Sequence, residues 1–317
     1  MLSNIITFIK NWTLPVSMIS GAMLYFIGAA LPISQDVKTD TIECIEFIQP
    51  ILLFAMLFVA FCKVSPKDLK PHRWHLWLLI IQCGLFAAIT LFLWAMPETA
   101  MRYSVESLML ALLCPTATAC AVVTQKLGGD AAPTTSYTIM INIAISILAP
   151  LLLPIAHPQT GMSFFPAFIT IMCKVFPLLI MPLVAAWGVR YYIPALHKRI
   201  LATRDLAFYM WAVALALAIT VSCRALVNSH AGVWNISGIA LATLIACAFQ
   251  FIVGKRIGKT YGTTIECGQA LGQKNTIFLI WMGYTFLSPV TAIAGGFYSI
   301  WQNSFNSYQL YKYRKKA

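Results

Sequence analysis

Most of what could do chemistry in this chain lies between Tyr261 and Thr276. The stretch holds the carboxylate of Glu266, the amides of Gln269, Gln273 and Asn275, the ammonium of Lys274, and glycines at 262, 268 and 272. Apolar runs flank it on both sides. At bilayer depth an ionised side chain costs about 2.5–3.5 kcal/mol on insertion scales, and each glycine weakens a helix by about 1 kcal/mol. A chain that accepts both penalties in one place either holds a site there or exposes the stretch as a solvated loop. Glu266 suits a cation ligand or proton carrier, because an unpaired buried carboxylate takes up a proton or a partner. Lys274 follows eight residues later, about two helical turns. It reaches back towards Glu266 if the intervening backbone unwinds.

Further polar residues stand inside apolar runs. Gln82 interrupts Trp77–Cys83, while Thr134, Thr138 and Asn142 recur at one-turn spacing and form a single polar face. Gln302, Asn303 and Asn306 sit among aromatic residues near the C-terminus. Such groups serve equally as hydrogen-bond glue between helices, as hydroxyls bonded back to their own helix, or as substrate contacts. His72 and His75 adjoin Arg73, which places them at a membrane edge rather than at a metal. The nine cysteines form no C-x-x-C pair and read as helix-packing residues. Phosphate loops, nucleophile elbows and H-E-x-x-H motifs are absent from the sequence, which argues against an ATPase or a hydrolase, and the chain is expected not to be an enzyme. A membrane-embedded enzyme or lipid-handling protein using Glu266 and Lys274 as acid and base is the alternative.

The elements that must position these residues follow from composition. Sixty per cent of the 317 residues are apolar and ten per cent charged, and the mean hydropathy is +0.78. A soluble domain is nearer half apolar and a quarter charged. The chain therefore reads as a polytopic membrane protein, and its net charge of +12 reports orientation rather than nucleic-acid binding. Ten apolar runs are long enough to span: 12–33, 42–62, 74–96, 104–127, 131–156, 163–192, 204–226, 232–254, 261–287 and 288–311. With the N-terminus inside, seventeen cations fall on the inner side and three (Lys38, Arg102, Arg224) on the outer, leaving Lys174 and Lys274 within spans. This asymmetry predicts ten spans with both termini cytoplasmic; the membrane is expected to be a plasma (bacterial inner) membrane. Glu98 and Glu106 fall outside with most other acids, leaving Glu266 as the only acid inside a span.

Two spans look broken. Pro115 interrupts span 4 within Leu112–Cys120, because proline removes a backbone donor and clashes with the preceding turn. Gly268 and Gly272 interrupt span 9. These are the fourth spans of two five-span halves, 1–160 and 161–317, which enter the membrane in opposite senses. Interruptions at matching positions of inverted halves point to the binding site of a secondary transporter.

With these residues in hand, the chain from about Lys63 onward resembles the bile acid:sodium symporter family. Val64-Ser65-Pro66-Lys67-Asp68-Leu69 is similar to L-K-P-S-D-F, and Cys114-Pro115-Thr116-Ala117-Thr118-Ala119 to C-P-G-G-T-A. Leu148-Ala149-Pro150-Leu151-Leu152-Leu153-Pro154 is similar to L-A-P-L-L-T-P, Thr264-Ile265-Glu266-Cys267-Gly268 to T-I-E-V-G, and Ser299-Ile300-Trp301-Gln302-Asn303 to S-V-W-H-N. The resemblance implies an all-α fold of ten transmembrane helices in two inverted repeats. A panel of spans 1, 2, 6 and 7 would lie beside a core of spans 3–5 and 8–10, with broken spans 4 and 9 crossing. It implies a carrier that moves a small amphipathic organic anion by alternating access, with the lipid bilayer as its other partner and no nucleic acid.

Sodium is the only ion the resemblance implies, with Glu266, Gln82, Thr134 and Thr138 as ligands and Thr118, Gln269, Gln273 and Lys274 beside them in the coupling set. The family's helix-four Ser and Asn are here Cys120 and Ala121, which offer no oxygen to a hard cation. Lys274 then stands in for a sodium ion and offsets Glu266, leaving sodium, proton and uncoupled transport all open. Pro115, Thr116, Asn275, Thr276 and Asn303 are expected to line the substrate cavity.

Overall fold

In the computed structural model, described for residues 13–158, 162–203, 206–228 and 231–315, thirteen α-helices and no β-strand make up the regular structure among the described residues. They are α1 (Thr13–Ala30), α2 (Gln35–Cys62), α3 (Arg73–Ala95), α4 (Arg102–Leu113), α5 (Cys120–Lys126), α6 (Ala131–Ala156) and α7 (Phe164–Tyr192). The second half continues with α8 (Pro194–Ala202), α9 (Leu206–Asn228), α10 (Val233–Tyr261), α11 (Thr264–Gly272), α12 (Thr276–Phe286) and α13 (Pro289–Arg314). Six of these, α2, α3, α6, α7, α9 and α10, are long and apolar enough to cross a membrane; α1 and α12 carry shorter apolar stretches. The chain is a multi-pass membrane protein. Large apolar side chains such as Phe47, Trp94, Val233 and Leu241 face outward, which suits hydrocarbon surroundings and not water.

Local chemistry sets the helix ends. Ser34, Asp130 and Ser288 each accept a backbone N–H in the first turn of α2, α6 and α13, satisfying donors that a helix start leaves open. Pro289 follows at the first position of α13, where its missing donor costs nothing. Gly262 ends α10 in the left-handed conformation, φ 71°, which other residues rarely adopt. Proline alone breaks nothing here, since Pro50, Pro150, Pro154, Pro177 and Pro182 all sit inside continuous helices.

The helices pack as neighbours in an order that brings distant segments together. α10 lies along α11, α1 along α9, α2 along α7, and α4 along both α3 and α10. The α10–α11 contact is close because it is built on glycine. A Cβ on Gly254 would stand 2.5 Å from the Cys267 carbonyl oxygen, and one on Gly258 2.4 Å from the Thr263 oxygen. The main core gathers Trp74, Phe86, Tyr137, Phe251, Phe278 and Tyr298. A second, smaller cluster joins Met56 of α2 and Ala214 and Ala218 of α9 to Ile277 and Ile280 of α12.

His75 lies in the first turn of α3 and faces the interior of the protein. It is fully buried, and its Nδ1 accepts the His72 N–H at 3.1 Å while Nε2 donates to Pro133 O at 3.0 Å. It thus ties the start of α3 to the start of α6. The cysteines are unbridged.

Candidate functional site at the paired helix breaks

Both interrupted helices are present, and their interruptions meet. α4 ends at Leu113, and Cys114 leaves it in extended conformation, φ −61° and ψ 127°, as a residue before proline must. Helix resumes at Cys120. α11 ends at Gly272, the chain is extended from Gln273 to Asn275, and α12 begins at Thr276. The break therefore falls later than Gly268 and Gly272. Those glycines stay helical, and a Cβ on Gly272 would stand 2.4 Å from the Phe251 ring of α10.

The two extended segments run antiparallel and pair through Thr116 and Lys274. The Ala117 N–H donates to Gln273 O at 2.9 Å and the Asn275 N–H to Pro115 O at 2.9 Å. Carbonyls left open at the helix ends find side-chain donors. Gln82 Nε2 donates to Leu112 O at 2.9 Å and Cys114 O at 3.0 Å, and Tyr137 holds Gln82 Oε1 at 3.0 Å. Thr116 Oγ1 donates to Ala270 O at 2.7 Å, the Tyr298 hydroxyl to Gly272 O at 2.9 Å, and Cys114 Sγ to Asn275 O at 2.9 Å. The Lys274 N–H donates to Gln302 Oε1 at 2.8 Å. Non-helical backbone at bilayer depth survives only where protein or a wet cavity satisfies it. Here protein does so.

The backbone is satisfied but several side chains are not. Lys274 is fully buried, and its Nζ has no hydrogen-bond partner among the described residues. Around that amine, within electrostatic range, lie the thiols of Cys83, Cys114, Cys120 and Cys247. Gln269 Nε2 donates to Asn306 Oδ1 at 3.0 Å, yet Gln269 Oε1, Gln273 Oε1, Asn275 Nδ2 and Asn306 Nδ2 are all buried without partners. Native interiors satisfy nearly all such groups, and these exceptions make the paired breaks the candidate site.

Glu266 is not part of it. It lies in the first turn of α11 at the far end from the break, half-buried, with Oε1 accepting the Asp130 N–H at 2.8 Å. The helix between Glu266 and Gly272 alone accounts for about 9 Å of separation from the break. The expected Glu266–Lys274 pair therefore does not form, because α11 stays wound where it was expected to unwind.

The remaining expected residues divide. Pro115, Thr116, Gln273, Asn275 and Thr276 lie buried in the break or beside it, and Thr118 is half-buried in the turn that leads into α5. The Thr134 and Thr138 hydroxyls donate back to Ala131 O and Thr134 O. Asn142, one turn on, is buried with both side-chain polar atoms unpartnered. Asn303 is half-buried and donates to Ser299 O at 2.7 Å within its own helix. For sodium the donor set fits poorly. Gln82 is hydrogen-bonded at both ends, and Glu266 lies at the other end of α11. Lys174 is exposed, with its ammonium 5.6 Å from the Phe286 ring centroid.

Among the described residues the buried acid is Glu106, expected on the outer side. It is 1% exposed and bound to Arg102 Nε at 2.9 Å, His157 Nδ1 at 3.1 Å and Thr291 Oγ1 at 2.8 Å. Arg102 also donates to Ala156 O and Pro97 O. The cluster fastens the starts of α4 and α13 to the end of α6. The one sequence sign of it is Arg102 standing four residues before Glu106, a spacing equally common on helix surfaces.

A family model described as "Protein of unknown function (DUF1275)" matches residues 2–173, more than half of the chain. No curated protein matches it.

Proposed function

The chain belongs to the DUF1275 family, and from that premise and the geometry of the breaks we propose that it is a secondary carrier for a small amphipathic organic anion. In this reading α4–α5 and α11–α12 are each one interrupted crossing, giving ten crossings in two inverted five-crossing halves. The panel (α1, α2, α7, α9) and the core (α3–α6, α10–α13) move relative to each other and expose the breaks to either side in turn. The bile acid:sodium symporter resemblance supplies the substrate class and the alternating-access scheme.

One observation carries the proposal: two interrupted helices cross-pair through their backbones around a buried, unpartnered lysine. A fold maintained only for packing has no reason to bury an amine at that place, since its desolvation is a pure cost. A carrier has one. Lys274 fills a cation position with a tethered charge, and its protonation state or its contact with an anionic solute differs between the two access states. The start of α12, beside Asn275 and Thr276, adds the positive field of a helix N-terminus. Gln269, Gln273, Asn275 and Asn306 bring the free donors and acceptors that orient the solute.

Uptake of labelled cholate into proteoliposomes tests this, with cholate as a representative amphipathic anion. Uptake is measured in sodium, in potassium and under a proton gradient. The tethered-charge reading expects saturable uptake that does not require sodium and is lost in Lys274→Ala. A sodium requirement that persists in Lys274→Ala rejects the tethered charge, and the lack of saturable uptake in any arm rejects the carrier.

A further inference from the structure

Away from the breaks, α1, α2 and α9 line an open cavity of about 400 Å³, within the range of small-molecule sites, roughly 300–1,000 Å³. Its walls combine apolar side chains, Leu24, Ile42 and Ile45 among them, with polar ones such as Gln35, Thr41 and Asn228 and with two cations, Lys38 and Arg224. Lys38 spends one donor on Ala29 O at 2.8 Å and keeps two of its three. Among the described residues it enters no ion pair. Arg224 faces Glu46 at 3.6 Å, a loose approach beyond hydrogen-bond length. Tyr284 of α12 and Glu43 lie near the same carboxylate. Glu46 thus answers one of the two positive charges, and the other has no ion-pair partner among the described residues.

We propose that this cavity binds an amphipathic anion, with its acidic head between Lys38 and Arg224 and its apolar body along Leu24, Ile42 and Ile45. The head adds charge-assisted hydrogen bonds to both cations and competes with Glu46 for Arg224. The body gains by leaving water or detergent for an apolar wall. An anionic membrane lipid and a free fatty carboxylate offer the same chemistry. None of the break residues lines the cavity, so this site stands whether or not the carrier reading does.

The test is native mass spectrometry of the full chain in neutral detergent, titrated separately with dodecanoate, phosphatidylglycerol and inorganic phosphate. One saturable adduct is expected from dodecanoate, from phosphatidylglycerol, or from both, and the arm that binds identifies the source. Lys38→Gln and Arg224→Gln should each weaken that adduct about tenfold, whereas Arg224→Lys should retain most of it. Gly28→Leu gives a variant that leaves both charges in place. Gly28 lines the cavity, and a Cβ there meets nothing within 4 Å, so leucine fills the space without a clash and should abolish the adduct. The proposal is overturned if neither amphiphile binds saturably, if inorganic phosphate binds as well as they do, or if Gly28→Leu and both Gln variants bind like the parent.

Discussion

Replacing Lys274 with methionine should make the protein more stable while stopping transport. Lys274 is 0% exposed and its amine has no partner among the described residues. A neutral amine buried without a hydrogen bond costs about 1–3 kcal/mol, and a buried ammonium without a counter-ion costs several. Methionine has nearly the same length and fills irregular space with little strain. Lys274→Met is therefore expected to gain about 1–3 kcal/mol, seen as a rise of several degrees in the unfolding temperature of the purified protein. Lys274→Ala leaves a cavity as well and should lose more than that gain, since truncating a long buried side chain to alanine costs about 2–5 kcal/mol. The expected stability order is Met above Lys above Ala, with both variants inactive in uptake. If methionine proves less stable than lysine by more than about 1 kcal/mol, the amine is held by a partner and the reasoning from an unpaired charge is wrong.

Other outcomes follow from the same contacts. Gln82→Leu frees the Leu112 and Cys114 carbonyls and the Tyr137 hydroxyl, at about 1–3 kcal/mol per stranded group, and should lower the unfolding temperature more than any surface change. Glu106→Ala strands Arg102 and His157; these keep side-chain exposures of 27% and 28%. Denaturant unfolding should therefore show a loss below the roughly 3–5 kcal/mol of a fully buried pair. Gly254→Val drives a side chain into the Cys267 backbone and should cost at least the ~1–3 kcal/mol of an overpacked core, read as a lower unfolding temperature and loss of uptake. Glu266→Gln keeps an acceptor for the Asp130 amide; it should change stability by less than about 1 kcal/mol and leave uptake intact. A silent Lys274→Ala beside a dead Glu266→Gln would reverse the assignment of the two residues.

The break at Pro115 is legible in the sequence because proline stands beside Thr116 and Thr118, polar residues that a sealed apolar helix has no use for. Five other prolines lie inside helices that continue, so proline is a sign only in that company. The second break is harder to place. Gly268 and Gly272 have the composition of helix breakers, but they serve a different need, the close approach of α10. Reading them as the break brings Glu266 to the crossing, although it belongs to the opposite end of α11. Lys274 stands out by its residue type, yet its true neighbours come from α3, α4, α5 and α10, which no local spacing brings together. Glu106 is hidden by its apparent surface pairing with Arg102, and only the fold adds His157 and Thr291. Single buried residues depend on the tertiary arrangement, whereas the apolar runs that make spans are written locally.

Counterflow tests the central claim most directly. Proteoliposomes preloaded with unlabelled cholate, then diluted into a trace of labelled cholate, should accumulate label transiently above its outside concentration. The same vesicles carrying Lys274→Met, a variant expected to fold at least as stably as the parent, should not. Label that only equilibrates through the wild-type protein, or overshoots equally through Lys274→Met, contradicts a carrier built around the paired breaks and their buried lysine.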